Sequence, residues 1–178
     1  MSEAARLAPH LAGPAWILAR EQTAARGRRG RAWQMPPGNF SATLLFRPKV
    51  TLPEAALYTF VSSLALEEAL ALVGGPHARL SIKWPNDVLL NGGKIAGILL
   101  ESVGQGRQTA SLAIGIGVNL AAAPPAARVE PGAVHPVSLL GETGIRIAPE
   151  DFLSPLAMAF DRWSRQYETY GFGPIREA

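Results

Sequence analysis

Five side chains between Lys83 and Lys94 are of types that do chemistry on anions: Lys83, Asn86, Asp87, Asn91 and Lys94. They stand around two chain reversals. Pro85 lacks a backbone donor, and Asn86 and Asp87 bond back to local backbone, so this turn should end a short strand over 81–84. Asn91-Gly92-Gly93 is a hairpin signal between apolar runs. Ile95 to Leu100 is unbroken apolar sequence, as expected of a strand covered on both faces. Lys83 and Lys94 should therefore flank one hairpin, at the ends of well-packed strands. A lysine held there suits a phosphate or a carboxylate.

A second cationic group lies upstream. Arg26, Arg28, Arg29 and Arg31 alternate with Gly27 and Gly30. The glycines free the backbone to turn and expose N–H groups, and the arginines supply forked donors for phosphate oxygens. Taken alone, this loop is equally compatible with a solvated basic loop or an RNA-binding arginine-glycine segment. Ser111 to Val118 adds a third feature. Leu112, Ile114, Ile116 and Val118 share one strand face, and Ala113, Gly115, Gly117 and Asn119 share the other. A face of small residues packs poorly and lets another group approach the backbone closely. That group is a packed neighbouring element or a ligand for which Gly115 forms the floor and Asn119 the edge.

The elements that must position these groups follow from pattern. Residues 3–11 form a short helix, 16–19 a strand and 41–46 another. Thr51-Leu52-Pro53-Glu54 starts a helix, with proline near its first position and an acid in its first turn. Leu57, Phe60, Val61, Leu64, Ala65 and Leu72 recur at helical spacing, interrupted by Glu68, and Gly74-Gly75-Pro76 stops the run. Residues 121–136 are rich in alanine and proline and read as an irregular surface loop. A final helix over 151–170 buries Phe152, Leu156, Ala159, Phe160 and Trp163, with Gly171 as its stop. Trp84 is expected in the core. At 178 residues, 48% hydrophobic and 17% charged, the chain is one globular domain's worth. With no cysteine it has neither a disulfide framework nor a thiolate metal site, and its three histidines are too scattered for a metal cluster. No apolar run approaches the ~20 residues of a membrane span, and the start is not a signal peptide; a cytoplasmic protein is expected. The net charge of +3 is concentrated in the arginine loop, which favours a specific anionic ligand over a nucleic-acid surface.

Three motifs in order carry a family resemblance. Lys83-Trp84-Pro85-Asn86-Asp87 with Lys94-Ile95-Ala96-Gly97-Ile98 resembles the signature of the biotin protein ligases. Arg26-Gly27-Arg28-Arg29-Gly30-Arg31-x-Trp33 is similar to their ligand-binding loop, and Gly115-Ile116-Gly117-Val118-Asn119 to a further strand. The resemblance covers nearly the whole chain. It implies an α+β fold, a mixed, largely antiparallel sheet flanked by helices of the class II aminoacyl-tRNA-synthetase/biotin-synthetase type. It implies a catalytic domain over 1–178, without the helix-turn-helix of repressor-type members and without the small C-terminal β domain. The family's serine-threonine pair, which contacts biotin, would fall just before Met1. Where the family has glycine this chain has Ala25. If that backbone needs φ > 0, alanine costs about 1 kcal/mol.

The resemblance also implies an activity and roles. Biotin and ATP, with Mg²⁺, would give biotinyl-5′-AMP. A lysine of a biotin carboxyl carrier protein, as in acetyl-CoA carboxylase, would then take the biotin. The first step needs no general base, because a carboxylate is already ionised at neutral pH. It needs two anions held together and charge stabilised at the phosphoryl group. Arg26, Arg28 and Lys94 suit that work, with Lys94 on the carboxylate and α-phosphate. Gln22 would bond the ureido ring, and Gly27 would let the loop close. Gly97 and Gly115 would line the biotin site. Arg31, Trp33, Lys83, Asn86 and Asn119 would meet the adenylate, with Trp33 either stacked on adenine or simply buried. Asp87 either orients and deprotonates the acceptor amine or caps its own turn. Magnesium would ride on the β- and γ-phosphates, with no protein metal site. No DNA or membrane partner is implied, and the family allows a homodimer. Lipoate–protein ligation and a binding module without turnover are the alternatives.

Overall fold

A computed structural model describes residues 2–103, 111–125, 129 and 132–178. Its centre is a six-stranded sheet in the order β1-β2-β6-β5-β4-β3. The strands are β1 (Ala15–Leu18), β2 (Phe40–Phe46), β3 (Leu80–Lys83), β4 (Asp87–Leu90), β5 (Gly93–Val103) and β6 (Ser111–Val118). Among the described residues every strand pair is antiparallel, and the one parallel pairing is an isolated bridge between Lys94 and Pro136. This is the α+β arrangement expected.

Alternation sorts the two faces. Phe40, Ala42, Leu44 and Phe46 of β2 join Leu112, Ile114, Ile116 and Val118 of β6, Ala96 and Ile98 of β5, and Val88 and Leu90 of β4 in one core. Helices α3 (Tyr58–Gly74) and α5 (Pro149–Tyr170) cover that core. Phe152 of α5 meets Phe40 edge-on with centroids 5.1 Å apart, and Tyr58 of α3 meets Phe46 in the same way. Glu68, which interrupts the apolar stripe of α3, accepts a hydrogen bond from Trp163 Nε1 at 2.9 Å and pairs with Arg162, so it ties the two helices together. The helix start reads as expected: the Thr51 N–H and hydroxyl both donate to the Glu54 carboxylate, at 2.8 and 2.7 Å, where α2 (Leu52–Ala55) begins.

On the opposite face, α1 (Ser2–Leu7) and the 3₁₀ turn at Ala8–His10 cover one end only, burying Ala4 and Ala8 against Leu45 and Ala113. The rest of that face is open. Short helices α4 (Leu139–Thr143) and α6 (Gly173–Glu177) complete the described elements; α6 has no counterpart in the sequence reading. Within 121–136 the described residues form no helix or strand beyond the Pro136 bridge, and residues 126–128 and 130–131 lie outside those described.

Four expectations need correction. Trp84 is 70% exposed, because it sits in the turn after edge strand β3 and no element packs over it. Leu72 is 75% exposed, on the turn of α3 facing away from the sheet. Strand β3 is not well packed: Ser81, Ile82 and Lys83 are all exposed. Finally, Pro53–Gly74 does have the length and apolar content of a membrane span, and half of its best window is buried. It is apolar on most sides because it packs against both the sheet and α5, and burial rather than a bilayer accounts for its composition.

Candidate active site

The open face of the sheet reads as rows of cross-strand neighbours. Asp87, Gly97, Gly117 and Ser41 form one row; Leu99, Gly115 and Thr43 form the next. Glycine at three of these positions leaves a hollow over the backbone. The arginine loop arches across it, and the cavity between them measures about 620 Å³.

Lys94 reaches that cavity through an irregularity. Lys94 and Gly97 are three residues apart, a spacing that a regular strand sends to opposite faces. Between Val88 and Leu89 the β4–β5 register shifts, leaving Ile95 as the extra residue. The bulge turns both Lys94 and Gly97 to the open face while Ile95, Ala96 and Ile98 stay in the core. The backbone at Lys94 is clamped from its other side too: its N–H donates to the His135 carbonyl at 2.7 Å, and its carbonyl accepts from Val137 N–H at 3.0 Å.

Across the row, Lys94 Nζ lies 2.7 Å from Asp87 Oδ1. The contact is an ion pair, and among the described residues no other donor reaches that buried oxygen. Lys94 also stands over the Trp33 ring, 5.7 Å from its centroid. The indole lies on the glycine floor: a Cβ at Gly117 would fall 2.7 Å from Trp33 Cε2, and one at Gly97 would fall 3.3 Å from Cζ3. The group that approaches the small-residue face is thus a side chain of the arginine loop, not a helix or another strand.

The loop itself is held at both ends. Trp33 N–H donates to the Ala25 carbonyl, Gly27 N–H to the Arg31 carbonyl, and Arg26 bridges Ala32. Arg28 Nη1 donates to Asn86 Oδ1 at 3.2 Å. Asn86 is fixed in turn, because its Nδ2 donates to the Ile98 carbonyl and its own carbonyl accepts from Ile98 N–H. The turn after β3 therefore anchors the loop to β5.

Of the residues singled out in the sequence, Gln22, Arg26, Gly27, Arg28, Arg31, Trp33, Asn86, Asp87, Lys94, Gly97, Gly115 and Asn119 all line this one cavity. Lys83 does not: it projects from the exposed edge strand, paired across β4 by backbone alone. Asn119 reaches the cavity wall, yet its side chain is committed elsewhere. It is 2% exposed, donates to the Val137 carbonyl at 3.0 Å and accepts from Asn39 Nδ2 at 3.4 Å, so it joins β6 to the chain around Val137. The positive φ in the loop falls at Arg29 and Gly30, not at Ala25, so alanine there carries no backbone strain. Gly27 is likewise extended, with only the Arg31 carbonyl near a Cβ built on it, at 3.8 Å. Sequence reasoning missed Ser41 and Thr43, two nearly buried polar residues on the cavity side of β2. Their signal was available: they are the polar positions in an otherwise apolar alternation.

Residues 6–119 match the biotin/lipoate A/B protein ligase family. The chain belongs to that family. A biotin–[acetyl-CoA-carboxylase] ligase of Paracoccus denitrificans is 62% identical over 177 residues, covering 99% of this chain and 74% of that relative. The bifunctional ligase/repressor BirA of Bacillus subtilis is 32% identical over 163 residues, covering 90% of this chain. The chain spans about half (49%) of that relative's length. Among solved structures, the biotin protein ligase from Aquifex aeolicus in complex with biotin and ATP shares 25% identity with a TM-score of 0.77, covering 97% of this chain and 70% of that one. In this chain two of the motif residues, Lys94 and Asp87, meet as an ion pair at the cavity floor.

Proposed function

We propose that this chain is the catalytic domain of an ATP-dependent, AMP-forming biotin–protein ligase. In this reading it makes biotinyl-5′-AMP and passes the biotin to one lysine of a biotin carboxyl carrier protein of the acetyl-CoA carboxylase type. The observation that carries the reading is the Lys94–Asp87 pair on a glycine floor, beneath a loop with four arginines. The ligand classes named for the Paracoccus and Aquifex relatives support biotin and ATP as the substrates.

Each part of the site has work suited to it. Lys94 neutralises the biotin carboxylate and the α-phosphate together, which removes their mutual repulsion as the oxygen–phosphorus bond forms and pyrophosphate departs. Arg26, Arg28 and Arg31 add charge-assisted donors from above, and Asn86 keeps Arg28 aimed at the cavity. Gln22, Gly97 and Gly115 contribute to the biotin site, and Trp33 offers a ring face to the biotin chain or the adenine. Magnesium would come with ATP as a counter-charge to its phosphates, since the described residues offer no cluster of three metal-ligating side chains to hold it. In the second step Asp87 receives the acceptor ammonium and accepts a proton from it. In this reading the protein works beside its carrier in the cytoplasm, and the reaction itself calls for no nucleic acid.

Purified protein incubated with biotin, ATP and Mg²⁺ should yield biotinyl-5′-AMP by mass spectrometry, and excess lipoate should leave the yield unchanged. Adding a carrier domain should shift the carrier's mass by one biotinyl group. Absence of the adenylate, or its replacement by a lipoyl adenylate, overturns the reading.

A further inference from the structure

Asp87 Oδ1 is buried, and among the described residues Lys94 Nζ, at 2.7 Å, is its one partner and its counter-charge. Lys94 is the same group that the substrate anions require. Both side chains are more than two-thirds covered, at 29% and 17% exposure, so the pair sits where charges are poorly screened. A buried carboxylate stripped of its counter-ion is costly and seeks another cation. Around it, the charged side chains that the loop presents to the cavity are arginines, which repel an incoming ammonium.

We propose that the Lys94–Asp87 pair orders the two half-reactions by exchange of partners. Before adenylate forms, Lys94 occupies Asp87, and the seat at the cavity floor is closed to the carrier's lysine; the other carboxylate that lines the cavity, Glu101, stands four residues further along β5 than Gly97. Once the acyl phosphate is in place, Lys94 follows the phosphate, and Asp87 becomes a vacant anionic seat beside the activated carbonyl. The acceptor ammonium fills that seat and gives one proton to the Asp87 carboxylate. The freed amine attacks the acyl carbon. The bond from that carbon to the phosphate oxygen breaks, AMP leaves with the electron pair, and the second nitrogen-bound proton passes to solvent. Asp87 then loses its proton and recaptures Lys94. The carrier's lysine is thus recognised only when there is something to transfer to it.

This inference rests on the ligase reading above, and the test separates the two. The probe is an unreactive biotinyl-adenylate analogue with a methylene in place of the acyl carbonyl. The carrier domain is titrated by calorimetry into the protein with and without the analogue. Binding of the analogue by the wild-type protein tests the ligase reading; failure to bind overturns that reading, and the exchange with it. Given binding, the analogue should tighten the carrier's Kd roughly tenfold, and the carrier should tighten the analogue's by the same factor. The effect should vanish for a carrier whose acceptor lysine is replaced by alanine. It should vanish also for Asp87→Asn, a variant that should still bind the analogue and so report its own folding. An unchanged carrier Kd in the wild type, or equal tightening for the lysine-free carrier, overturns the exchange and leaves the ligase reading standing.

Discussion

The two faces of the central sheet are built from the same strands and do opposite things. On one face, Phe40, Leu44, Ile114, Ile116 and Val118 are all at most 2% exposed and lock against α3 and α5. On the other, the alternate residues of those strands are Ser41, Thr43, Gly115 and Gly117, and they floor a cavity. Large side chains fill space on the first face; their absence makes space on the second. Stability and chemistry are therefore separable in this molecule, one per face, and the pleat is what separates them. The exception is Ala113 and Leu45, where α1 borrows the end of the second face for a small core of its own.

Substitutions that strike one face at a time sharpen or break this division. Phe152→Ala should have the largest effect. It removes a ring that is fully buried against Phe40, and about 3–5 kcal/mol of stability should go with it in a denaturant titration. Lys94→Ala comes next and should act mainly on the chemistry. Adenylate formation should slow by about 10²–10³-fold, as for loss of one preorganised charge-stabilising donor. Its melting temperature should fall as well, because Asp87 is left without its counter-ion, but by less than that of Phe152→Ala. A variant that melts lower than Phe152→Ala, or that keeps full activity, would break the division.

Gly117→Ala tests the floor. The new methyl would meet the indole of Trp33 at 2.7–2.8 Å, so the ring must lift. The expected cost is about 1 kcal/mol, the low end for overpacking, since the loop can shift. Tryptophan emission should change in this variant and not when Trp33→Phe is already present. Gly27→Ala, with nothing closer than 3.8 Å to the new methyl, should be silent by both measures.

The smallest effect lies far from both faces. Hydrogen bonds from the Thr51 hydroxyl and N–H hold the Glu54 carboxyl below its ordinary value. A carboxyl lowered in the folded state contributes stability that is complete above its unfolded value and is lost as pH falls through the folded one. Thr51→Val removes the hydroxyl donor, so the acid limb of stability against pH should flatten slightly. An unchanged limb would show that the backbone bond alone suffices.

Much of this was legible in the chain because it is local. The alternation in β2 and β6, the Asn91-Gly92 turn with both residues at positive φ, and the glycine stops at Gly75 and Gly171 each follow from pleating or backbone preference within a few residues. The motif side chains suited to anions were also legible as types, and of these all but Lys83 and Asn91 converge on one cavity; Asn91 instead accepts from the Arg79 N–H and donates to Glu142. Local pattern could not say that Lys83 and Trp84 face outward, because that depends on β3 being the last strand of the sheet. Nor could it foresee the bulge at Ile95 that swings Lys94 onto the glycine side, since the extra residue exists only relative to a partner strand. Composition, periodicity and turn chemistry determined the elements and the inventory of charged groups. Tertiary structure alone decided that Arg28 is held by Asn86, fifty-eight positions away, and that Trp33 lies on Gly117. Such contacts are set by which strands lie side by side, and no spacing along the chain encodes that order.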